Sequence, residues 1–517
     1  MHTKNTYLYL TAFAGGLTSL AVEMSASTLL RNHFGTANLV WATIIGLILL
    51  FLAAGYFIGG RWADRSPELA TLYQIVAWSG LLTGVIPFAA QPVLALVTPA
   101  FDSFNALLIG GSFFVVLILF SVPVTLMGCI SPFIIRLAMK TKTIDQSGET
   151  AGHVYAISTA GSFVGAFLPN LILVPLIGTR NTFVILSLFL LTVAFGGLVR
   201  NAPRRLLTHL WMPLVVILLA LLLRGQPVKA AENAIYETES AYNYIQVVED
   251  EGGCRQLLLN EGQGIHSVYC PHQLRTSGPW DYFLIAPYFN PPPYTPDQVE
   301  SVALVGLAAG TMARQYTAIY GPIPIDGIEI DPEIVRVGQE YFGLTPSDYP
   351  NLNVIIADGR YALARSDSRY TVIGVDAYRL PYIPPHLTTV EFFQEVRAHL
   401  TADGVAVINV GHTQDDYRLV EAMLATLRQV FPSTHVLDVP NSFNAVIVAT
   451  VQPTQGGNLW LNLPHLEDDD FLHATGLMAA AHLNFVGPSD VIFTDDRAAI
   501  EWMTNALVLD FILKGTP

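Results

Sequence analysis

Hydrophobic positions follow two different rhythms along the chain. Up to about residue 224 they run almost unbroken in long stretches separated by short polar loops. Apolar segments at 7–30, 39–60, 69–97, 105–138, 154–177, 182–199 and 206–223 each reach the roughly 18–20 residues needed to cross hydrocarbon, which predicts about seven spans. Segment 7–30 is too long for a signal-peptide core and shows no small-residue cleavage signal, so it reads as a retained helix. The fourth segment is overlong, and its Pro123 and Pro132 either kink one helix or divide it into two short spans. Gly55/Gly59 and Gly161/Gly165 have the small-xxx-small spacing that lets helix backbones approach closely in lipid.

Beyond the membrane segments the rhythm shortens. Segments 242–249, 255–260 and 265–268 alternate between polar and apolar residues across Gly-rich turns and predict a small antiparallel β element. Strand-like runs at 301–306, 325–330, 352–357, 370–376 and 405–410 then alternate with helical stretches at 311–320, 332–342, 360–366, 388–400 and 415–430, with closing strands around 437 and 445–450. This alternation predicts a doubly wound, Rossmann-like α/β domain of the methyltransferase type. The expected organisation is a transmembrane helical bundle over 1–224, a linker over 225–235 and a soluble domain over 236–517. The last comprises a β element (236–270), a Rossmann-like core (300–450) and a mixed C-terminal extension (451–517).

Charge sharpens this division. Residues 1–224 carry 12 Lys and Arg against 6 Asp and Glu, while the remainder carries 14 against 35. An acidic soluble half excludes nucleic acid as the expected partner, because phosphate binding needs clustered Lys and Arg. Within the membrane half, Arg61, Arg65, Arg136, Lys140, Lys142, Arg200, Arg204 and Arg205 fall on the side of the N-terminus if there are seven spans. Only Arg31 and Arg180 lie in the other short loops. The positive-inside bias then places the N-terminus in the cytoplasm and carries the soluble domain outside. Glu23 is the one acidic residue deep within an expected span, a functional candidate or one half of a structural pair with Arg31 or a loop base.

Doubly wound folds bind ligands at the carboxyl ends of their strands near the switch point. There the chain places Gly306-Leu307-Ala308-Ala309-Gly310 after the first strand, Glu329 after the second, Asp358-Gly359 after the third and Asp376 after the fourth. The small-residue turn lets a ligand reach backbone N–H groups at a helix start. Glu329 can accept hydrogen bonds from two ribose hydroxyls, and an acid after the third strand suits an adenine amine. Each acid alone is an ordinary helix cap, but three in register on consecutive strands point to a nucleoside site. The turn lacks full G-x-G-x-x-G spacing, so a dinucleotide is the weaker reading.

At these residues the chain resembles the spermidine synthase family of polyamine aminopropyltransferases, in its branch fused to N-terminal transmembrane helices. The resemblance runs from about residue 236 to 450 through Ser240-Ala241-Tyr242-Asn243-Tyr244-Ile245, the glycine turn, Ile328-Glu329-Ile330-Asp331-Pro332, Ala357-Asp358-Gly359-Arg360 and Val375-Asp376-Ala377-Tyr378. Thr494-Asp495-Asp496-Arg497-Ala498 also looks like that branch, with no physical role legible from sequence.

The resemblance implies aminopropyl transfer from decarboxylated S-adenosylmethionine to putrescine or a similar amine, giving a spermidine-type polyamine and methylthioadenosine. It implies no metal and no tightly bound cofactor, the adenosyl donor being a co-substrate. Asp376 would be the general base. Asn243, Gly306, Gly310, Glu329, Asp358 and Gly359 would hold the donor, and Tyr282 and Tyr378 would stand on the amine side. Partners would be the amine, the donor and the lipid bilayer, and a homo-oligomeric state is compatible with the chain.

The chain departs from the family pattern at three places. Ala309 stands where an Asp holds the donor's ammonium, Arg379 where a second Asp contacts the diamine, and Asn243 where a Gln is expected. Losing two carboxylates beside a dicationic amine is electrostatically adverse, with Asp367 and Glu391 as candidate compensators. An S-adenosylmethionine-dependent methyltransferase and a non-catalytic nucleoside- or polyamine-binding membrane protein are therefore the alternatives. Of the three cysteines, Cys129, Cys254 and Cys270, none has metal-ligand spacing, and free thiols are the expectation. A Cys254–Cys270 disulfide would instead suit an extracytoplasmic domain. Loop charge favours the outside for that domain and the donor's origin favours the cytoplasm, so its side stays open.

Overall fold

The computed structural model describes residues 2–34, 38–97, 110–141, 146–224, 233–260, 264–378, 382–487 and 489–514. The chain divides into two compact units. One comprises Met1–Ala230 with Thr238–Tyr244, the other Ala231–Glu237 with Ile245–Pro517.

The first unit is helical. Its long helices are His2–Phe34, Asn38–Arg65, Leu69–Val97, Ser112–Ala138, Ser147–Leu168 and Val174–Asn201, followed by the shorter Pro203–Leu207 and Trp211–Leu222. Among the described residues five helical stretches are long and apolar enough to cross a membrane, so the count of seven is not reproduced. Two of the expected spans merge into one run, Ser147–Asn201. That run has a π-helical turn at Pro169–Leu173 and a non-helical residue at Gly178, with φ 77°. The expected first span is helical but is not one of the five, because Thr11, Thr18, Glu23, Ser25, Ser27 and Thr28 interrupt its apolar character. Pro123 and Pro132 sit inside one continuous helix, Ser112–Ala138, and residues 105–109 of that expected span lie outside the described residues. Small residues act as the spacing suggests: a Cβ added at Gly55 would meet the Thr125 carbonyl oxygen at 2.3 Å.

After the helices the chain forms a four-stranded antiparallel sheet in the order β1 (Ala234–Glu239), β2 (Tyr244–Glu249), β3 (Arg255–Leu259) and β4 (Ile265–Tyr269). β1 was not anticipated from sequence. The expectation of free thiols is overturned at Cys254 and Cys270, which form a disulfide, whereas Cys129 is free and buried. Antiparallel pairing of Arg255 with Tyr269 brings the residues just outside those positions to a Cα separation of 4.2 Å, within bridging distance.

An eight-stranded sheet follows, built from β5 (Val302–Val305), β6 (Ile325–Glu329), β7 (Leu352–Ile356), β8 (Tyr370–Val375), β9 (Leu400–Gly411), β10 (Ser433–Asp438), β11 (Asn444–Thr450) and β12 (Leu483–Asn484). Their spatial order is β12-β10-β11-β9-β8-β5-β6-β7, parallel from β7 to β9 and antiparallel beyond. β5 and β8 are buried at every position, as central parallel strands require. Along β5 the side chains alternate between two cores. Ala303 and Val305 join Phe392, Phe393 and Met423, while Val302 and Leu304 join Phe283, Tyr316 and Leu459. The chain moves outward from β5 through β6 to β7, then returns to the other side of β5 with β8. The switch point therefore lies at the carboxyl ends of β5 and β8.

Candidate functional site

β8, β5, β6 and β7 are neighbours in that order, so Asp376, Gly306, Glu329 and Asp358 follow one another along one edge of the sheet. Each step is about 4.8 Å, the usual strand spacing. Gly306, at φ 98°, is required at the switch point, since a Cβ there would lie 2.4 Å from the Asp376 carbonyl oxygen. The N–H groups of Gly306 and Leu307 both donate to Ile328 O, at 3.0 and 2.9 Å, which folds the turn back over β6. Gly310, at φ 90°, opens the helix Thr311–Tyr320. Between them Ala309 N–H donates to Ser267 Oγ at 2.9 Å, so β4 pins the turn from outside.

Glu329 is buried and accepts two backbone hydrogen bonds. Ala308 N–H reaches Oε2 at 2.9 Å and Asp331 N–H reaches Oε1 at 3.0 Å. Burial pushes its pKa up to about 7 against the opposing effect of these donors. A carboxylate offers about four lone-pair positions, so two such bonds leave acceptor capacity for ligand hydroxyls.

Asp358 caps the helix Gly359–Leu363 through Oδ1, which accepts from Tyr361 N–H at 3.0 Å, while its Oδ2 lies 2.8 Å from His386 Nε2. The adjoining Gly359 packs so closely that a Cβ would meet Val305 Cγ1 at 2.4 Å. Arg360 donates to His386 O at 3.3 Å and grips both oxygens of Asp495 at 2.7 and 2.9 Å as well as Glu395. Asp495 also accepts from Thr389 Oγ1 at 2.7 Å, and its N–H donates to Glu391 Oε2 at 3.0 Å. Thr494-Asp495-Asp496-Arg497, opaque in sequence, is thus a tight turn that fastens the C-terminal extension beside the third strand end. Glu391 is engaged there, and Asp367 is exposed.

Asp376 follows β8, and both its oxygens are held by side-chain N–H donors. Trp280 Nε1 donates to Oδ2 at 2.7 Å and Asn409 Nδ2 donates to Oδ1 at 3.0 Å. Burial raises its pKa above the ordinary carboxylate value, and the two donors act in the opposite direction. Tyr378 joins this group by donating from its hydroxyl to Asn409 O at 3.0 Å. Tyr282 is buried on the helix Pro279–Phe283 that carries Trp280. Its hydroxyl has no hydrogen-bond partner among the described residues, and burial pushes its pKa up to about 12. Asp281 between them accepts from Thr276, Ser277 and Gln315 and fixes the loop entering that helix.

Gly306, Gly310, Glu329, Asp358, Gly359 and Asp376 therefore share one edge, with Tyr378 beside Asp376. Asn243 belongs to the other compact unit, where its N–H donates to Ser240 Oγ at 2.8 Å. Arg379 lies outside the described residues. Sequence reasoning did not single out Trp280, Asn409, His386 or Ser267. Asn409 had a signal, being the one polar side chain within the buried stretch 404–410 of its strand. Among the described residues no group of three or more His, Cys, Asp or Glu is arranged to hold a metal ion.

A glycine turn, a buried acid after the second strand and an oriented acid at the switch point define an α/β domain of the methyltransferase-like class. More particularly, residues 292–458 match the family model for the spermine/spermidine synthase domain. It is 37% identical over 220 residues to a probable polyamine aminopropyl transferase of Bifidobacterium longum, covering 42% of this chain and 47% of that one. The chain thus spans about half the length of that relative. A polyamine aminopropyltransferase of Vibrio vulnificus is 29% identical over 252 residues, 46% of this chain and 79% of its own. Among solved structures, a probable spermidine synthase from Corynebacterium glutamicum aligns with 51% of this chain and 99% of its own, at 18% identity and a TM-score of 0.38.

Proposed function

We propose that the soluble unit transfers an aminopropyl group from decarboxylated S-adenosylmethionine to an amine such as putrescine, giving methylthioadenosine and a longer polyamine. The observation that carries this is the Asp376 carboxylate at the switch point, oriented by Trp280 and Asn409 beside the glycine turn. The nitrogen of the amine attacks the propyl carbon next to the sulfonium, the carbon–sulfur bond breaks with its electrons going to sulfur, and Asp376 takes the proton lost by the amine. Glu329 holds the ribose, Asp358 and Gly359 the adenine side, and Tyr282 and Tyr378 border the amine. A sulfonium is already a good leaving group, so alignment and proton removal are the protein's main contributions. Asp376→Asn keeps the shape and removes the base; turnover, read by mass spectrometry of the polyamine product, should fall about 10²–10⁴-fold with nucleoside binding retained. Product at the parental rate would overturn the assignment.

A second reading rests on Ala309. The turn offers no carboxylate at that position, and the Ala309 N–H is used by Ser267, so nothing there distinguishes the decarboxylated donor from intact S-adenosylmethionine. Methyl transfer is the corresponding activity. Calorimetric titration with both donors separates the two.

Sidedness is the most exposed consequence of the first reading. The Cys254–Cys270 bridge favours an oxidising, external compartment for the soluble unit, as the loop charges do only if the chain crosses seven times, whereas the donor is made inside the cell. Reporter fusions after Thr208 and Pro517, with thiol labelling of Cys254 and Cys270 in intact cells, decide it. A cytoplasmic C-terminus with reduced thiols supports transfer; an external C-terminus with the bridge intact leaves a nucleoside- or polyamine-binding role.

A further inference from the structure

Among the described residues the membrane unit contains one buried carboxyl side chain, and the proposed reaction does not use it. Glu23 lies on the helix His2–Phe34, is only 7% exposed, and has no hydrogen bond or ion pair among the described residues. Its level in the bundle is set by contacts between that helix and Ser147–Leu168. Ser162 Oγ donates to Gly16 O at 3.1 Å, a Cβ at Gly165 would lie 2.1 Å from Leu17 O, and Thr28 Oγ1 lies 3.5 Å from Asn170 Oδ1. These pairs advance together, so the two helices run parallel and Glu23 falls between the levels of Gly165 and Asn170.

At that level the partner helix is interrupted. The turn Pro169–Leu173 is π-helical, and Pro169 has no N–H to give to the carbonyl of Gly165 four residues before it. One side of the contact therefore offers an unpaired carboxyl and the other a backbone carbonyl whose helical donor is missing. Ser27, one turn beyond Glu23 on the same face, is buried and adds a hydroxyl oxygen. All of these groups accept and none brings a full positive charge. An isolated carboxylate in a membrane interior is costly, and oxygen acceptors gathered where a helix is broken suit a cation.

We propose that Glu23, with the interrupted turn opposite it, is an intramembrane binding site for a monovalent positive charge, either an alkali ion or the ammonium end of an amine. The site is independent of the soluble unit's reaction. One carboxylate balances one charge, and the donor set of carboxylate, carbonyl and hydroxyl oxygens is hard, which favours these ligands over soft metals.

Full-length protein in lipid nanodiscs would be treated with a hydrophobic carbodiimide, and modification of Glu23 followed by peptide mass spectrometry. Sodium, potassium or putrescine at rising concentration should protect Glu23 severalfold relative to N-methylglucamine at equal ionic strength. The cation that protects identifies the source. Labelling that responds to none of them overturns the proposal. Thermal unfolding gives a second readout: the protecting cation should raise the midpoint of the parent and of Glu23→Asp but leave Glu23→Gln unmoved. An equal rise in Glu23→Gln overturns it as well. The carbodiimide arm uses only the parental protein, so a variant that fails to fold does not decide the question.

Discussion

Replacing Trp280 with Phe removes one N–H from the Asp376 carboxylate and little else, because the aromatic ring still fills a buried position. The bond lost is Nε1 to Oδ2 at 2.7 Å, between a neutral donor and an acceptor that is charged when Asp376 acts as a base. Hydrogen bonds to charged groups contribute about 1.5–3 kcal/mol, and one pKa unit corresponds to about 1.4 kcal/mol, so complete loss would move Asp376 by about one to two units. Asp376 is partly exposed and water replaces some of the donor, which brings the expectation to about one unit. The direction is upward: the indole N–H favours the ionised form, burial already favours the protonated form, and removing the former leaves the latter less opposed. A base must be ionised to work. The acidic limb of the pH profile of kcat/KM should therefore shift about one unit toward higher pH, costing about tenfold at a pH on that limb and less above it. Methylthioadenosine affinity, measured by calorimetry at a pH above the limb, should be unchanged. Trp280→His, which can restore an N–H donor, should recover part of the shift. A Trp280→Phe profile that superimposes on the parental one would refute this role for the indole.

Glu329 has a pKa raised to about 7, so ionising it works against the fold; its contribution is fully present below about 4.5 and is lost as pH rises through 7. In ligand-free full-length protein, the thermal stability of the parent relative to Glu329→Gln should accordingly decline by about 3 kcal/mol or less across that window, and a pH-independent difference would contradict it. The Arg360 guanidinium holds Asp495 below the usual carboxylate range, so that pairing is present above this range and lost as pH falls through it. Because the Asp495 side chain is 43% exposed, Asp495→Asn should cost only about 0.5–1 kcal/mol in a denaturant titration at neutral pH, with little difference from the parent in acid. Cys270→Ser opens a bridge with a sequence separation of 16, worth about 3 kcal/mol in the loop-entropy account, and should lower the thermal midpoint under oxidising conditions while matching the reduced parent. An unchanged oxidised midpoint would show that the bridge is not formed in solution.

The α/β core was legible because its strands announce themselves twice, as short apolar runs and as runs ending in an acid or glycine. β5 to β9 fall where those runs lie. The membrane helices were less so. Hydropathy marks an apolar stretch but does not record that Pro169–Leu173 and Gly178 bend a single run, or that the first helix keeps its polar groups inside the bundle. β1 was missed because its sequence, Ala-Ile-Tyr-Glu-Thr-Glu, places three apolar residues before three polar ones and so lacks the alternation that marks a half-buried strand.

The site divides in the same way, and the division has a physical cause. A strand-end acid can be named from sequence because its place is fixed by the strand that precedes it. The groups that orient it arrive from elsewhere: Trp280 lies 96 residues before Asp376 and Asn409 lies 33 after it. Only the sheet order, which sets β9 beside β8, turns that amide into a partner for the carboxylate. The same holds for Asp495, 135 residues from the Arg360 it grips. A local motif thus supplies the candidate base, while its orientation and basicity are set by residues whose proximity exists only in the fold. Substrate discrimination belongs to this second category. Ala309 changes what the turn can recognise, yet its N–H is spoken for by Ser267 on a different sheet. Absence of a carboxylate from the turn therefore leaves the turn's shape intact, and the proposed nucleoside end of the site can persist while the chemistry at the other end diverges.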